Sequence, residues 1–222
     1  MNIKNFTQDR NNEMDMIASY QLTQNAILYS LRENESPLAR NYVDNLLKER
    51  KKYSIFVASI SVVNRNFHVV SSSEEYEPGT VSAMKDVDPK YQTGEFIIGD
   101  VYERITDDGR KNVVPAYTGV YYNNELIGYV MEELDTAYFD DLRLNMDTLA
   151  DGTFYLLDGN GAIITAGDTK NKRSLKTFVS KSSDRNDFQN KWDAIDHEKN
   201  PSGYVRYRYH LSLIHISEPT RH

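Results

Sequence analysis

The sequence predicts an α+β fold built from two tandem units, each with a helix ahead of an antiparallel sheet. Three observations predict this fold. An amphipathic helical pattern lies near the N-terminus, later runs alternate apolar and polar residues with a period of two, and two hairpins 94 residues apart share one pattern. The chain has 222 residues, enough for one large domain or for two domains of about 100 residues each.

The composition and the charge exclude several classes of protein. Hydrophobic residues make up 39% of the chain and charged residues 27%, which is typical of a folded globular protein. The net charge is −7 and there is no basic block, so nucleic acid is not an expected partner. The absence of cysteine excludes disulfides, thiolate metal sites and cysteine nucleophiles. No apolar run approaches the 18 or so residues that span a bilayer, so membrane attachment is expected only through segments absent from this sequence.

Two helices are predicted before the first strand. The amphipathic pattern predicts one helix from Glu13 to Leu31 within an N-terminal region of residues 1–35. A second helix is expected to start with Ser36 as its N-cap and Pro37 at its first position, and to end in the basic run 48–52. Its predicted apolar face comprises Tyr42, Val43, Leu46 and Leu47.

Strands are predicted from Ile55 onward, where the hydrophobic period changes to two. A hairpin that turns at 64–66 comes first, and a loop follows it. Three further strands are predicted at 96–101, 112–122 and 126–134, which makes five antiparallel strands in a unit of residues 36–134. Pro115 removes a main-chain donor from the middle run, which predicts an edge strand or a bulge there.

A shorter set of elements follows. Residues 135–150 have helical spacing, which predicts a helix that connects the two units. Within a second unit of residues 151–210, strands are predicted at 153–157, 162–166 and 203–210, with one helix around 188–195.

The hairpin sequences 62–71 and 156–165 follow one pattern. Each has two apolar residues, then Asp or Asn, any residue and Asn, then two residues, two β-branched residues and Ser or Thr. The repeat indicates two copies of one α+β unit, although any two hairpins share part of such a pattern.

Several stretches resemble the double Cache (dCache) extracytoplasmic sensor domains of bacterial transmembrane receptors. They are GEFIIGDVY at 94–102, YTGV at 117–120, LIGYVMEEL at 126–134 and TFYLLDGNGAII at 153–164. The resemblance covers roughly residues 13–210. It implies a long N-terminal helix followed by two tandem PAS-like (Cache) units with antiparallel sheets, the second incomplete here. Residues 36–134 would be the membrane-distal unit and 151–210 the membrane-proximal one.

The resemblance also implies a ligand site. In that family the membrane-distal unit usually holds a small ligand between the concave face of its sheet and the loop before the third strand, here 74–93. Amino-acid-binding members carry Arg-x-Trp-Tyr in this loop and an Asp on the last strand. This chain has Asp-Pro-Lys-Tyr at 88–91 and Glu133 instead, so that pattern is incomplete. The predicted ligand-binding residues are Tyr91, Tyr102, Tyr117, Tyr129 and Glu133, for each of which ordinary packing is the alternative. Alternation places Tyr129, Met131 and Glu133 on one face of a strand.

No catalytic residue, metal ligand or cofactor is predicted. His68, His197 and His210 lie far apart, so no zinc-binding pattern is present. The turn at 158–161 begins like a calcium loop, yet Thr169 stands where the bidentate Glu is needed. Phosphate-binding loops and nucleophile elbows are also missing, so this chain is not expected to be an enzyme.

The last twelve residues, 211–222, resemble the translation of a transposase-type sequencing-library adapter. We therefore expect them to be an assembly scar and exclude them from the predicted fold. On this reading the native protein continues beyond His210, and Met1 is an internal start.

The predicted function is that of an extracytoplasmic small-molecule-sensing domain of a cell-membrane signal transduction protein, soluble as a fragment. The resemblance implies a diguanylate cyclase output first, then a histidine kinase or a chemoreceptor. A homodimer through the N-terminal helix is a further expectation. The alternative is a stand-alone soluble binding or interaction module, or the accessory module of an enzyme.

Overall fold

The computed structural model describes residues 3–32, 36–76, 80–82, 84, 92–106, 109–137, 139, 156–157, 163–165, 194, 203–209 and 212–218. The chain divides into two compact units, Met1–Phe154 and Tyr155–His222. Within the described ranges, no helix is both long enough and apolar enough to cross a bilayer.

Two helices form the N-terminal region, α1 at Ile3–Ser19 and α2 at Gln21–Leu31. The prediction of one continuous helix over 13–31 is therefore wrong. The break is at Tyr20, which has extended backbone angles (φ −65°, ψ 129°) while its carbonyl accepts a hydrogen bond from the Gln24 N–H at 3.1 Å. Tyr20 is thus the N-cap of α2, and neither Gly nor Pro marks the position.

The third helix, α3 at Pro37–Lys52, begins and ends where the sequence predicts. The Ser36 hydroxyl accepts a hydrogen bond from the Ala39 N–H at 3.5 Å, and basic residues occupy the last turn. Val43 and Leu47 are fully buried, whereas Tyr42 is 57% exposed and does not belong to the buried face.

The first unit contains one sheet of six strands, and all of the strand pairs in it are antiparallel. The strands are β1 (Val57–Asn64), β2 (Val69–Ser72), β3 (Ile97–Ile98), β4 (Tyr102–Thr106), β5 (Gly109–Tyr122) and β6 (Glu125–Asp135). Their order is β2-β1-β6-β5-β3, and β4 also pairs with β5. The predicted strand at 96–101 is thus reduced to β3, and β4 is a strand that the sequence did not predict.

Pro115 lies in β5, an interior strand, so the predicted edge position is wrong. The Gly99 N–H donates to the Pro115 carbonyl at 2.8 Å. The N–H and C=O of one strand residue point to the same side, so the missing N–H of Pro115 also faces the chain around Gly99. That chain passes there from β3 to β4, and the ladder is interrupted where the donor is missing.

The three helices pack on one face of this sheet. Helix α1 packs on β5 and β6, α3 packs on β1 and β2, and α2 contacts both other helices. The Thr118 hydroxyl of β5 donates to the Asp15 carboxylate of α1 at 2.9 Å. Because side chains alternate along a strand, Val130 and Glu132 of β6 face the helices, whereas their odd-numbered neighbours face away.

The second unit contains two antiparallel pairs of strands within its described residues. The first is β7 (Leu156–Leu157) with β8 (Ile163–Thr165), and the second is β9 (Gly203–Tyr209) with β10 (Ser212–Glu218). Strands β7, β8 and β9 lie within predicted strands. Strand β10 lies in the segment that the sequence analysis describes as adapter-like. The helices predicted at 135–150 and 188–195 lie outside the described residues except for a few positions.

The repeated hairpin pattern is confirmed in the backbone register. The partners are Val62↔Ser71 and Val63↔Val69 in one hairpin, and Leu156↔Thr165 and Leu157↔Ile163 in the other. A shift of 94 residues converts each pair into its counterpart. Both hairpins also have a register irregularity between their two apolar residues.

Candidate ligand-binding site

The face of the first sheet that points away from the helices carries most of the predicted ligand-binding residues. Tyr129, Met131 and Glu133 alternate along β6, and their partners on β5 are Gly119, Tyr117 and Pro115 in that order. Strand β4 pairs with the same stretch of β5 through Tyr102 and Val113, which brings Tyr102 to this region. The prediction that Tyr129, Met131 and Glu133 share one face is therefore confirmed.

Glu133 is the centre of a buried polar cluster. It is 6% exposed, and its carboxylate accepts hydrogen bonds from the hydroxyls of Ser59 on β1 and Tyr102 on β4. The Arg104 guanidinium, also on β4, donates to the same carboxylate at 2.5 Å. Three donors from two other strands thus stabilise one carboxylate, which is how a buried charge is tolerated.

The phenols of Tyr102 and Tyr117 remain protonated in this environment. Burial, and then the negative charge of Glu133, raise the pKa of Tyr102 far above its ordinary value, and the Arg104 charge opposes this shift. Burial also raises the pKa of Tyr117 strongly, with further contributions from Glu133 and Asp100. Both hydroxyls are therefore hydrogen-bond donors at any physiological pH.

An apolar cluster adjoins the polar one. It comprises Met84, Tyr117, Tyr129 and Met131, with Phe67 and Leu126 packed against it. The Tyr129 ring stacks on Phe67 with centroids 6.5 Å apart, and its hydroxyl donates to the Gln92 carbonyl at 3.0 Å. Met84 and Gln92 both belong to the chain between β2 and β3, so described residues of that segment pack on this face of the sheet.

A close backbone contact fixes the end of the covering segment. The Gly119 N–H donates to the Gly94 carbonyl at 2.9 Å. A Cβ atom on Gly119 would lie only 2.7 Å from the Gly94 Cα, and Gly94 itself has a φ of +84°. Both positions therefore require glycine, which explains two of the glycines in the predicted strand motifs.

Ser61 adds a buried hydroxyl to this face of the sheet. It lies on β1 opposite Met131, on the same face as Ser59, and it is 5% exposed. Its hydroxyl has no hydrogen-bond partner among the described residues. This hydroxyl is therefore able to donate or accept a hydrogen bond on this face of the sheet.

The structure brings together Tyr102, Tyr117 and Glu133 of the five predicted residues. Tyr129 lies on the same face, but its hydroxyl is bonded to the main chain, and Tyr91 lies outside the described residues. Sequence analysis missed Ser59, Ser61 and Arg104. The alternation of the two serines with apolar residues in β1 is a weak signal, whereas Arg104 belongs to the strand that was not predicted.

An open groove of about 480 Å³ lies elsewhere, between α3 and the end of β2. It contains none of the predicted residues. Two of its carboxylates already have partners, since Asp44 accepts from the Ser72 N–H at 2.9 Å and Glu74 pairs with Lys51. Across the described parts of the chain, no group of three or more His, Asp or Glu side chains is arranged to hold a metal ion.

No protein-family model matches this chain, and no curated protein matches it in sequence. Solved structures match it in fold. A domain of a sensory box/GGDEF family protein from Vibrio parahaemolyticus is 14% identical with a TM-score of 0.58, and the match covers 91% of this chain and 80% of that one. The extracellular domain of the histidine kinase mmHK1S-Z2 is 13% identical with a TM-score of 0.57, over 98% and 89% of the two chains.

The ligand-binding domain of the Campylobacter jejuni chemoreceptor Tlp3, in complex with 4-methylisoleucine, is 11% identical. Its TM-score is 0.55, over 95% of this chain and 77% of that one. At these identities the likeness concerns the fold. The chain has the α+β, PAS-like fold of Cache-type sensor domains.

Proposed function

We propose that this chain is the extracytoplasmic small-molecule-sensing domain of a transmembrane signal transduction protein. One observation carries the proposal, the buried Glu133 carboxylate held by Ser59, Tyr102 and Arg104 on the sheet face away from the helices. A charged cluster at this depth is costly to maintain for stability alone, because apolar residues of similar volume pack there at least as well. Burial and the charge of this carboxylate also raise the pKa of Tyr102, and phenols perturbed in this way are typical of functional sites.

The ligand we propose is a small polar molecule bound against Tyr117, Tyr102 and Glu133. The unpartnered Ser61 hydroxyl and the protonated Tyr117 phenol can donate hydrogen bonds to it, and the Met84 and Met131 side chains offer apolar contact. The Tlp3 domain with its bound amino acid derivative supports a ligand site in this fold. The incomplete amino-acid pattern in this chain leads us to propose a different polar ligand class.

We further propose that residues 36–134 form the membrane-distal unit and that 135–150 connect it to a membrane-proximal unit at 151–210. Residues 211–222 are proposed to derive from an adapter.

The output we propose is a diguanylate cyclase, with a histidine kinase or chemoreceptor as the alternative. This chain itself is proposed to catalyse no reaction. Adapter-free long-read sequencing across the locus tests these points. Membrane spans on both sides and a signalling domain downstream would support them, whereas a stop codon near position 222 and no upstream span would contradict them.

Dimerisation through the N-terminal region is also proposed, with α2 as the contact. Its side chains Leu22 and Tyr29 are each 38% exposed although both are apolar. Sedimentation equilibrium over a range of concentrations tests this proposal with a Leu22→Glu/Tyr29→Glu variant. We expect a dimer for the wild type and for the control Gln21→Glu, and a monomer for the double variant. A wild-type monomer at all concentrations would contradict it.

A thermal-shift screen of small polar metabolites tests the sensing function. A true ligand should stabilise the folded protein saturably, by about 2.7 kcal/mol when its concentration is 100 times Kd. Titration calorimetry of any such ligand then tests the site with Glu133→Gln, Tyr117→Phe and Ser61→Ala. We expect each substitution to weaken binding by about tenfold or more, since each removes a hydrogen bond or a charge.

Glu125→Gln is the matched control. Glu125 is an exposed carboxylate on the same strand, where it pairs with Arg65 at 2.6 Å. If a demonstrated ligand binds Tyr117→Ala/Glu133→Ala as tightly as it binds the wild type and the control, the site assignment is wrong. If the screen yields no saturable ligand, the interaction-module alternative is favoured.

A further inference from the structure

Glu132 is a fully buried carboxyl group on the helix-facing side of β6. None of its side chain is exposed, and neither of its oxygens has a hydrogen-bond partner among the described residues. The residues paired with it on the neighbouring strands are Ile60 of β1 and Ala116 of β5, both apolar. The sheet therefore offers this carboxyl group no polar partner.

The charged residue that reaches Glu132 comes from α1. The Arg10 guanidinium lies 3.6 Å from the Glu132 carboxyl group, close enough for attraction but too far for a hydrogen bond. Arg10 is also shared, since it pairs with Glu13 at 2.8 Å, donates to the Ser54 hydroxyl at 3.1 Å and lies over the Phe6 ring. The charge of Glu132 is therefore only partly compensated.

Other titratable groups near this interface are few. Glu13 faces the same space from α1, and its negative charge opposes that of Arg10. Asp15, further along α1, is engaged with the Thr118 hydroxyl. From the α3–β1 connection the group in contact is the Ser54 hydroxyl, which does not titrate. The protonation of Glu132 therefore depends on burial, on Arg10 and on Glu13.

We propose that Glu132 makes the docking of α1 on the sheet proton-dependent, so that α1 docks more tightly as the pH falls below neutrality. With the carboxyl group protonated, α1 covers a neutral side chain. When the carboxyl group is ionised, docked α1 keeps a negative charge away from water. The only nearby compensation is the Arg10 guanidinium, which lies 3.6 Å away and has other partners. Undocking of α1 exposes that charge to water.

The titration of Glu132 supports the direction of the effect. Burial raises the pKa of Glu132 to about 7, although the Arg10 charge opposes this and Glu13 adds to it. Once α1 undocks, the carboxyl group is hydrated and its pKa returns to the ordinary value of about 4.5. Undocking thus releases a proton and is favoured as the pH rises from about 4.5 to about 7.

Hydrogen–deuterium exchange of α1 peptides, corrected for the intrinsic pH dependence of exchange, measures the docking. We expect the protection of α1 in the wild type to rise by roughly 30-fold from pH 8 to pH 5.5, as expected for the uptake of one proton. In Glu132→Gln the protection should be high and equal at both pH values. Peptides of α3 from Glu132→Gln should exchange as they do in the wild type. The exposed-carboxylate control Glu125→Gln should show the wild-type pH dependence of α1 protection.

Two further variants should move the pH midpoint of the change in α1 protection, in opposite directions. They remain informative if Glu132→Gln fails to fold. Arg10→Gln removes the compensating cation and should shift the midpoint to higher pH. Glu13→Gln removes the opposing anion, frees Arg10 for Glu132 and should shift it to lower pH. Protection of α1 that does not depend on pH, a dependence that persists in Glu132→Gln, or midpoints unmoved in both charge variants would each overturn the proposal.

Discussion

Glu132 and Glu133 are consecutive residues of β6, and their carboxyl groups point to opposite faces of the sheet. Glu132 faces Arg10 of α1, whereas Glu133 binds Tyr102 and Arg104 of β4. One peptide unit therefore joins the candidate ligand site to the underside of the N-terminal helix.

The hydrogen bond between Tyr102 and Glu133 should contribute measurably to stability. A hydrogen bond to a charged group contributes about 1.5–3 kcal/mol, so Tyr102→Phe should lower the free energy of unfolding by that amount in urea denaturation. The exposed Tyr122→Phe is the control and should change it by less than about 0.5 kcal/mol. In a double-mutant cycle with Glu133→Gln, the effects should be non-additive, and strict additivity would contradict the contact.

The raised pKa of Tyr117 predicts how its phenol titrates. In the folded protein its pKa lies above the ordinary value of about 10, so this phenol should stay protonated at pH 11. Wild type and Tyr117→Phe should then show equal native absorbance changes at 295 nm, while in urea the wild type should exceed the variant by one phenol. A smaller native amplitude for the variant would show that Tyr117 titrates normally.

The raised pKa of Tyr117 also makes the stability of the protein depend on pH in the alkaline range. Because the folded-state pKa of Tyr117 is raised, its contribution to stability is complete below about pH 10 and is lost as the pH rises through the folded-state value. Alkaline unfolding should therefore begin at higher pH in Tyr117→Phe than in the wild type, once the two are compared at equal stability at pH 8.

The close approach of Gly119 to Gly94 predicts a large effect of a single methyl group. In Gly119→Ala the new Cβ would meet the Gly94 backbone at 2.7–2.8 Å, and such overpacking costs about 1–3 kcal/mol. Thermal or urea unfolding measures the loss. Gly99→Ala is the comparison, since its nearest contacts are side-chain atoms at 3.1–3.2 Å that can shift, and its cost should be smaller. Equal costs would argue against the backbone contact.

The N-cap of α3 gives a local test. Ser36→Ala removes the acceptor for the Ala39 N–H and should destabilise the protein by about 1 kcal/mol. Ser36→Asp retains an acceptor at the same position and should recover most of that loss. If urea unfolding finds Ser36→Ala as stable as the wild type, the cap makes no net contribution.

Local signals predicted much of this fold. The Ser36–Pro37 pair fixed the start of α3 because a cap and a preset φ act within one turn. Alternation placed Tyr129 and Glu133 on one face of β6 because side chains on a strand repeat every second residue. The paired hairpins were predictable because their turn and apolar residues are adjacent in the chain.

The partners of Glu133 were not predictable in this way. Ser59 and Arg104 reach it from strands that lie 74 and 29 residues away in the sequence. Such neighbours depend on strand order and register, which no local pattern specifies. The break at Tyr20 was missed for a related reason, since an extended residue without Gly or Pro has no local signature.

That break at Tyr20 changes the mechanics of the N-terminal region. A single helix over residues 3–31 would be a rigid rod of roughly 43 Å. The two helices α1 and α2 are instead roughly 25 and 16 Å long. Because the two helices are not continuous, a tilt of α1 would be absorbed by the backbone at Tyr20 and would not be transmitted to α2. Movement of α1 away from β5 and β6 would therefore not require α2 to leave α3.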